Sequence, residues 1–363
     1  MDVGKLSVFG RDANLPIGVD VGTSSVKMVR LAKDTRGYVV LAAARADIAA
    51  AVSGEADEHA ASVTDAIHRC HGRLGGNFHA VVCGLSGPLL AVRDFVLPGL
   101  PAEDVEAVVR LEAEQSCHLD INRSVMDFQV DADPDAPTPA DGDALPDEIR
   151  GFFAMADQSL IQESLDRLKL VGLHAVMMDI NNLALLNCLW ECKPPTAEHS
   201  VCVVDIGAAS TNVAIMGRQG APCVRDLPYG SNQIIDDLVN QQGLSMDTVG
   251  PLFQPEGGGR DVTPELQRGL AASCARMMAE IGSSLRYYRA TGAVAPFECI
   301  HLCGGLSLID EVVSLIRHSL PVPVVRWDPF ETIRITKEAP GEDLLKHSGA
   351  AMAVATGLAM RCP

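Results

Sequence analysis

Residues 17–31 read IGVDVGTSSVKMVRL, and residues 201–216 read VCVVDIGAASTNVAIM. At an offset of 185 positions, Val19, Asp20, Gly22 and Ser25 fall on Val204, Asp205, Gly207 and Ser210, and Lys27 falls on Asn212. That offset is close to half of the 363 residues, so the chain reads as a duplicated domain in which each copy opens with Asp-x-Gly-x-x-Ser. In the first copy apolar residues alternate up to Val21, break at Gly22-Thr23-Ser24-Ser25 and resume at Val26, which predicts two strands joined by a tight turn. The turn's backbone N–H groups can converge into an anion nest, and its hydroxyls with Lys27 favour a phosphate. Asp20, just before the turn, is placed to hold Mg²⁺ through water. An ordinary hairpin with a polar turn also fits this stretch alone. The repeat selects one phosphate clamp per half, with a nucleotide in the cleft between them.

Other nucleotide folds are excluded. There is no GxxxxGK[ST] P-loop, and the turn after Asp20 leads into a strand rather than the helix of a Rossmann site. The length suffices for two domains with their own cores. No run of 18 apolar residues predicts a membrane span, and MDVGKLSVFGRDANLP predicts no signal peptide. The formal charge of −18 argues against nucleic acid and anionic lipid as partners. Eleven cysteines without a C-x-x-C pair read as buried or free thiols in a reducing cytoplasm, with a metal site as the alternative. That includes Cys188 and Cys192 on one helix face, and Cys70 beside His71 in a polar turn.

The pattern predicts a loose tail over 1–14. A first domain takes 15–88 and 173–195, with 347–363 packing back onto it as a small-residue helix. An inserted subdomain takes 89–172, including the acidic, proline-rich loop 131–148, and the second domain takes 196–346 with a smaller subdomain at 240–295. Asn181-Asn182 read as the cap of a helix starting at Leu183. Residues 243–262 read as a loop, and Cys299 to Leu302 as a buried strand running into Gly304-Gly305, a turn suited to a nucleotide's ring and α-phosphate. Glu112 and Glu114 read as the solvated face of an amphipathic helix.

Two phosphate hairpins, a Gly-Gly turn and a final small-residue helix together resemble the actin, hexokinase and Hsp70 superfamily of ATP-binding proteins. Within it the chain is similar to the FtsA-related PilM family of type IV pilus assembly. LPGLPAEDVEAVVRLEAEQ with VMDFQV is similar to the inserted subdomain of that branch, and RDLPYGSNQI, EIGSSLRYY, LCGGLSLIDEVVSLI and WDPFETI follow in family order. The resemblance implies an α/β, actin-like fold: two duplicated ribonuclease H-like domains with an FtsA-like insert. It implies that Gly22, Thr23, Ser24, Ser25 and Lys27 hold the β- and γ-phosphates of ATP. Asp20 and Asp205 would hold the waters of Mg²⁺. Gly207, Ala208, Ser210, Thr211 and Asn212 would form the second clamp, and Gly304, Gly305 and Leu306 would face the adenosine. Asn181 would orient the attacking water. The implied partner is the N-terminal cytoplasmic peptide of PilN, gripped between the first domain and the insert. A cytoplasmic protein recruited to the inner membrane by platform proteins, and able to self-associate, is the implied setting.

Three positions depart from the family's pattern. Leu306 stands where a third glycine or small residue is usual and would crowd the sugar. Ala208-Ala209 offers few side-chain donors. The amides of Asn181-Asn182 cannot act as a base, so ATP binding with weak or absent hydrolysis is expected. The alternatives are an FtsA-like filament protein, although GLAMRCP holds no basic amphipathic stretch, a sugar or acid kinase, for which no catalytic carboxylate is identified, and a nucleotide-free adaptor.

Overall fold

The computed structural model describes residues 13–49, 56–131, 147–196, 199–217, 221–254, 262–290 and 295–361. Strands β1 (Ile17–Val21), β2 (Ser25–Asp34) and β3 (Gly37–Asp47) form an antiparallel meander. Helix α1 (Ala56–Leu74) follows, with Asp57 and Glu58 at its positive end and His71 and Arg73 at its negative end. Its apolar residues Val63, Ile67, Cys70 and Leu74 recur at helical spacing and are buried. Strand β4 (Ala80–Leu85) then lies parallel to β1.

The chain next leaves the sheet for the insert, made of β5 (Leu90–Pro98), α2 (Ala102–Ser116), β6 (Ser124–Val130) and β7 (Glu148–Asp157). These strands pair antiparallel in the order β5-β7-β6 around their own core of Phe95, Val109, Phe153 and Met155. Helix α3 (Gln158–Leu170) returns the chain to β8 (His174–Ile180), which is parallel to β4, and α4 (Asn181–Cys192) leads out of the first sheet.

The second half repeats the plan. Strands β9 (Ser200–Ile206), β10 (Thr211–Met216) and β11 (Cys223–Leu227) are antiparallel. Helices α5 (Ser231–Asp236) and α6 (Pro264–Ala290) precede β12 (Phe297–Cys303), and α7 (Asp310–Ser319) joins it to β13 (Val324–Arg326). The first sheet runs β3-β2-β1-β4-β8 and the second β11-β10-β9-β12-β13, with the same strand directions at each place. Asp20 pairs with Lys27, and Asp205 with Asn212, so the 185-residue echo is also a structural one. Strand β14 (Arg334–Ile335) extends the first sheet beside β3, before α8 (Glu342–Ser348) and α9 (Ala353–Ala359).

The elements stack in layers. Helices α1 and α3 cover one face of the first sheet, with Val63, Ile67 and Leu168 against Val19 and Met28. Helices α4 and α9 cover the other face, and α4 touches the second sheet as well. Their core joins Val29, Leu31 and Val82, through Leu185, Leu189 and Leu358, to Val201, Val203 and Ala214. Helices α6 and α7 close the far side of the second sheet.

Several boundaries differ from the sequence reading. Ala13–Asn14 is not loose tail but pairs with Lys33 and Ala32, while residues 1–12 lie outside the described ones. Helix α3 belongs to the first half rather than to the insert. It is the crossover between parallel β4 and β8, and Leu168 is 1% exposed in that core, so the insert ends near Asp157. The stretch 243–262 is not all loop. Met246–Val249 and Gly250–Phe253 are short helical turns whose Val249 and Leu252 are buried in the second-half core, so 240–254 shares that core. The segment 347–360 is not one helix, because Gly349–Met352 forms a 3-10 turn where Gly349 lies against the Asp328 carboxylate. Cys70 and His71 sit within α1, not in a turn. Of the acidic loop, residues 132–146 lie outside the described ones, as do 255–261. Among the described residues no helix is long and apolar enough to cross a membrane.

Candidate functional site

The two hairpin turns face each other across a cleft of about 720 Å³, the size of a small-molecule site. Each turn closes with the same backbone bond, Gly22 N–H to the Ser25 carbonyl at 3.1 Å and Gly207 N–H to the Ser210 carbonyl at 2.9 Å. Thr23 and Ser24 are exposed at the cleft mouth. Behind each turn a row of side chains crosses three strands on the face that looks into the cleft. In the first half the register aligns Asp20, Lys27 and Arg45, and in the second Asp205, Asn212 and Asp226.

The rows are tightly bonded. Lys27 Nζ meets Asp20 Oδ2 at 2.9 Å, and Asn212 Nδ2 donates to Asp205 Oδ2 at 3.2 Å. Burial works against the Lys27 charge, but Asp20 and, further off, Asp205 hold its ammonium above the ordinary value. Burial pushes the Asp205 carboxyl up to about 6, against the pull of Lys27 and with a further push from Asp20. Between about pH 4 and pH 6 the folded chain therefore keeps a proton on Asp205 that the unfolded chain has released. The contribution of Asp205 to the stability of the unliganded protein is expected to fall as pH rises through that window and then to stay level, by about 2 kcal/mol after allowing for water in the cleft. Urea melts at pH 4.5 and 7 check this. The wild-type minus Asp205→Asn difference should carry the change, and an unchanged difference would refute it.

Of the residues expected at the site, Asp20, Gly22, Thr23, Ser24, Ser25, Lys27, Asn181, Asp205, Gly207, Ala208, Ser210, Asn212, Gly305 and Leu306 all line the cleft. Thr211 does not. It is fully buried behind the turn, where its hydroxyl donates to the Tyr229 carbonyl at 2.7 Å. Gly304 lies behind Asp205 with φ +89°, and a Cβ there would fall 2.5 Å from Asp205 Oδ1. Leu306 turns its side chain into the second-half core, 2% exposed, while Gly305 beside it faces open space.

Asn181 and Asn182 do not cap α4. They form its first turn, both buried, and Ile180 holds the cap position without a side-chain bond. Gly84 makes room for Asn181, since a Cβ there would lie 1.9 Å from its Oδ1. Asn182 Nδ2 donates to Asp226 Oδ1 at 2.8 Å, and Gly87 N–H approaches Asp226 Oδ2 at 3.3 Å. Asp226 thus ties the second half to α4 and to the start of the insert. It was missed in the sequence, as were Arg45, His59 and Arg167, which also line the cleft.

Mg²⁺ fits this donor set. The carboxylates of Asp20 and Asp205 flank the cleft, and the buried Oδ1 atoms of Asn181 and Asn212 have no hydrogen-bond partner among the described residues, so they are acceptors for an ion's waters. The cysteines described are all unpaired, and burial pushes the Cys70 and Cys83 thiols up to about 12.

Two copies of one sheet plan, packed around a polar cleft between their hairpin turns, define the actin-like ATPase fold. Over 95% of this chain and 98% of the other, the structure matches one described as "PilM-PilN type IV pilus biogenesis complex", at 23% identity and a TM-score of 0.76. A diol dehydratase-reactivating factor in nucleotide-free form matches over 95% and 99% of the two chains at 11% identity and a TM-score of 0.51. A glycerol dehydratase reactivase does so over the same shares at 12% and 0.50. The family profile for type IV pilus assembly protein PilM matches residues 18–363, and the chain belongs to that family.

Proposed function

We propose that this chain binds Mg-ATP between its halves and serves as a cytoplasmic scaffold of the pilus inner-membrane platform. The carrying observation is the pair of congruent hairpin turns, each backed by a carboxylate, that face one cleft. Backbone N–H groups and hydroxyls of both turns would receive the phosphates, Lys27 would neutralise them, and Asp20 and Asp205 would hold the waters of Mg²⁺, which supplies further charge neutralisation. Asn181 has an amide and no base, so it would orient water without removing its proton. Slow turnover or none follows.

The partner we propose is the N-terminal cytoplasmic peptide of a PilN-like protein, lying between the first domain and the insert. Val96 and Val125 on the insert are more than half or about half exposed and offer apolar surface for it. Asp226 contacts Gly87, where the chain enters the insert, so closure of the halves would reshape that groove. Calorimetric titration with Mg-ATP, with phosphate release followed on the same samples, tests the site. Saturable binding is expected, weakened at least tenfold in Asp20→Ala. No binding at millimolar nucleotide would favour the nucleotide-free adaptor. A PilN-peptide affinity that ignores Mg-ATP would sink the coupling and spare the scaffold.

A further inference from the structure

Arg45, the third member of the first-half row, has no part in the proposed Mg-ATP site. Arg45 stands opposite Lys27 on the neighbouring antiparallel strand, and both line the cleft. Like charges placed directly opposite destabilise a strand pair. Lys27 is answered by Asp20. Arg45 gives one Nη2 bond to Asp47 at 2.9 Å, but its Nε is buried and meets no acceptor among the described residues. A buried donor left unmade costs about 1–3 kcal/mol. The position is held firmly, for Arg73 donates to the Arg45 carbonyl, and Ile48 N–H binds the Ser24 carbonyl at 2.9 Å, tying the end of β3 to the phosphate turn. The duplication does not explain the cation. The corresponding place in the second row holds Asp226, whose carboxylate is engaged by Asn182 and Gly87. Two adjacent cations on the first-half side of the cleft, in a chain with net charge −18, describe an anion seat against the first half.

We infer that Arg45 reads the terminal phosphate: its guanidinium grips the γ-phosphate of the bound nucleoside triphosphate and makes the cleft prefer triphosphate to diphosphate. This rests on the proposal that the cleft binds ATP. Arg45 acts by binding, and no bond is made or broken by it.

Calorimetry with Mg-ATP, Mg-ADP and Mg-ADP plus inorganic phosphate, on wild type, Arg45→Met and Arg45→Lys, tests it, with circular dichroism as the check on folding. Wild type is expected to bind Mg-ATP at least tenfold tighter than Mg-ADP. In Arg45→Met the ATP affinity should fall to the ADP level while ADP binding stays within twofold, and Arg45→Lys should lie between. If Arg45→Met does not fold, the Arg45→Lys comparison decides alone, since a lysine keeps the charge and loses the fork. A preference for ATP that survives substitution overturns the inference. So does an equal loss for both nucleotides, which would mean a structural role. If phosphate added to Mg-ADP binds wild type as tightly as the γ-phosphate contributes, the seat serves free phosphate and the triphosphate reading falls. If wild type binds neither nucleotide, the cleft proposal itself fails and this inference with it.

Discussion

Gly357→Val is expected to cost the fold at least about 3 kcal/mol, a large share of the 5–15 kcal/mol that holds a typical domain together. A Cβ at Gly357 would lie 2.1 Å from the Ala184 carbonyl oxygen and 2.6 Å from its carbon, so the new side chain meets backbone rather than a movable tip. Helix α9 cannot slide away. On its other side Gly18 of β1 is equally close, and a Cβ there would lie 2.0 Å from the Ala355 carbonyl. The helix is clamped between α4 and the first sheet by glycines on both sides, in the core that both halves share. Separation of α9 from α4 would therefore loosen the halves together. Urea denaturation measures the loss. Gly72→Ala is the control, because Gly72 is an exposed position of α1 with nothing within 4 Å of a new Cβ. It should be neutral or stabilising by about 0.5–1 kcal/mol, the helix preference for alanine. A Gly357→Val melt that matches wild type would mean the two helices are not locked as described.

What could be read in the sequence follows from where each signal resides. The duplication was legible because it lies in local pattern: Asp20 and Asp205 each precede a glycine turn and a second strand, and the turns close identically. The helical pattern of Gln158–Leu170 was legible too, but its allegiance was not. An amphipathic stretch shows that it has a buried face without showing which core receives Leu168, and its place after the insert misled the boundary. Asparagine favours the cap position, which is why the sequence predicts a cap at Asn181 and Asn182. Tertiary contacts overrode the preference, with Gly84 opening space for one and Asp226 bonding the other.

Arg45 was hidden by register. Counting back from the Thr35-Arg36 turn, where Asp34 pairs with Gly37, sets Ala44 opposite Lys27. A bulge between Arg30 and Leu31 shifts the pairing by one, and a one-residue slip turns a side chain to the other face. The arginine thus enters the cleft and Ala44 enters the core. No local pattern announces that bulge. The role of Gly304 was hidden in a similar way, since Gly-Gly in sequence does not show that one glycine faces open space and the other backs a carboxylate.

That difference between the two glycines carries the largest expected effect on nucleotide binding. Gly304→Val should weaken Mg-ATP binding at least 100-fold, or about 2.7 kcal/mol. A Cβ at Gly304 would lie 2.5 Å from Asp205 Oδ1, 2.5 Å from the Ile206 carbonyl oxygen and 2.6 Å from the Ile206 nitrogen. The Ile206 backbone is fixed in the sheet, and the Gly304 N–H is held by the Ala350 carbonyl at 3.0 Å. The Asp205 carboxylate is the part that can move, and it would leave the position from which it faces the cleft. The positive φ adds strain for a branched residue, about 1–3 kcal/mol, so the variant will also be less stable and must be shown folded before titration. Gly305→Ala separates site from scaffold. Its Cβ meets nothing within 4 Å, so the fold should not notice it, and any loss of affinity there reports contact with the nucleotide itself. Near-normal affinity in folded Gly304→Val would show that the position of Asp205 is immaterial to binding. The Mg²⁺ role proposed for that carboxylate would then be withdrawn, leaving Asp20 to hold the ion's waters.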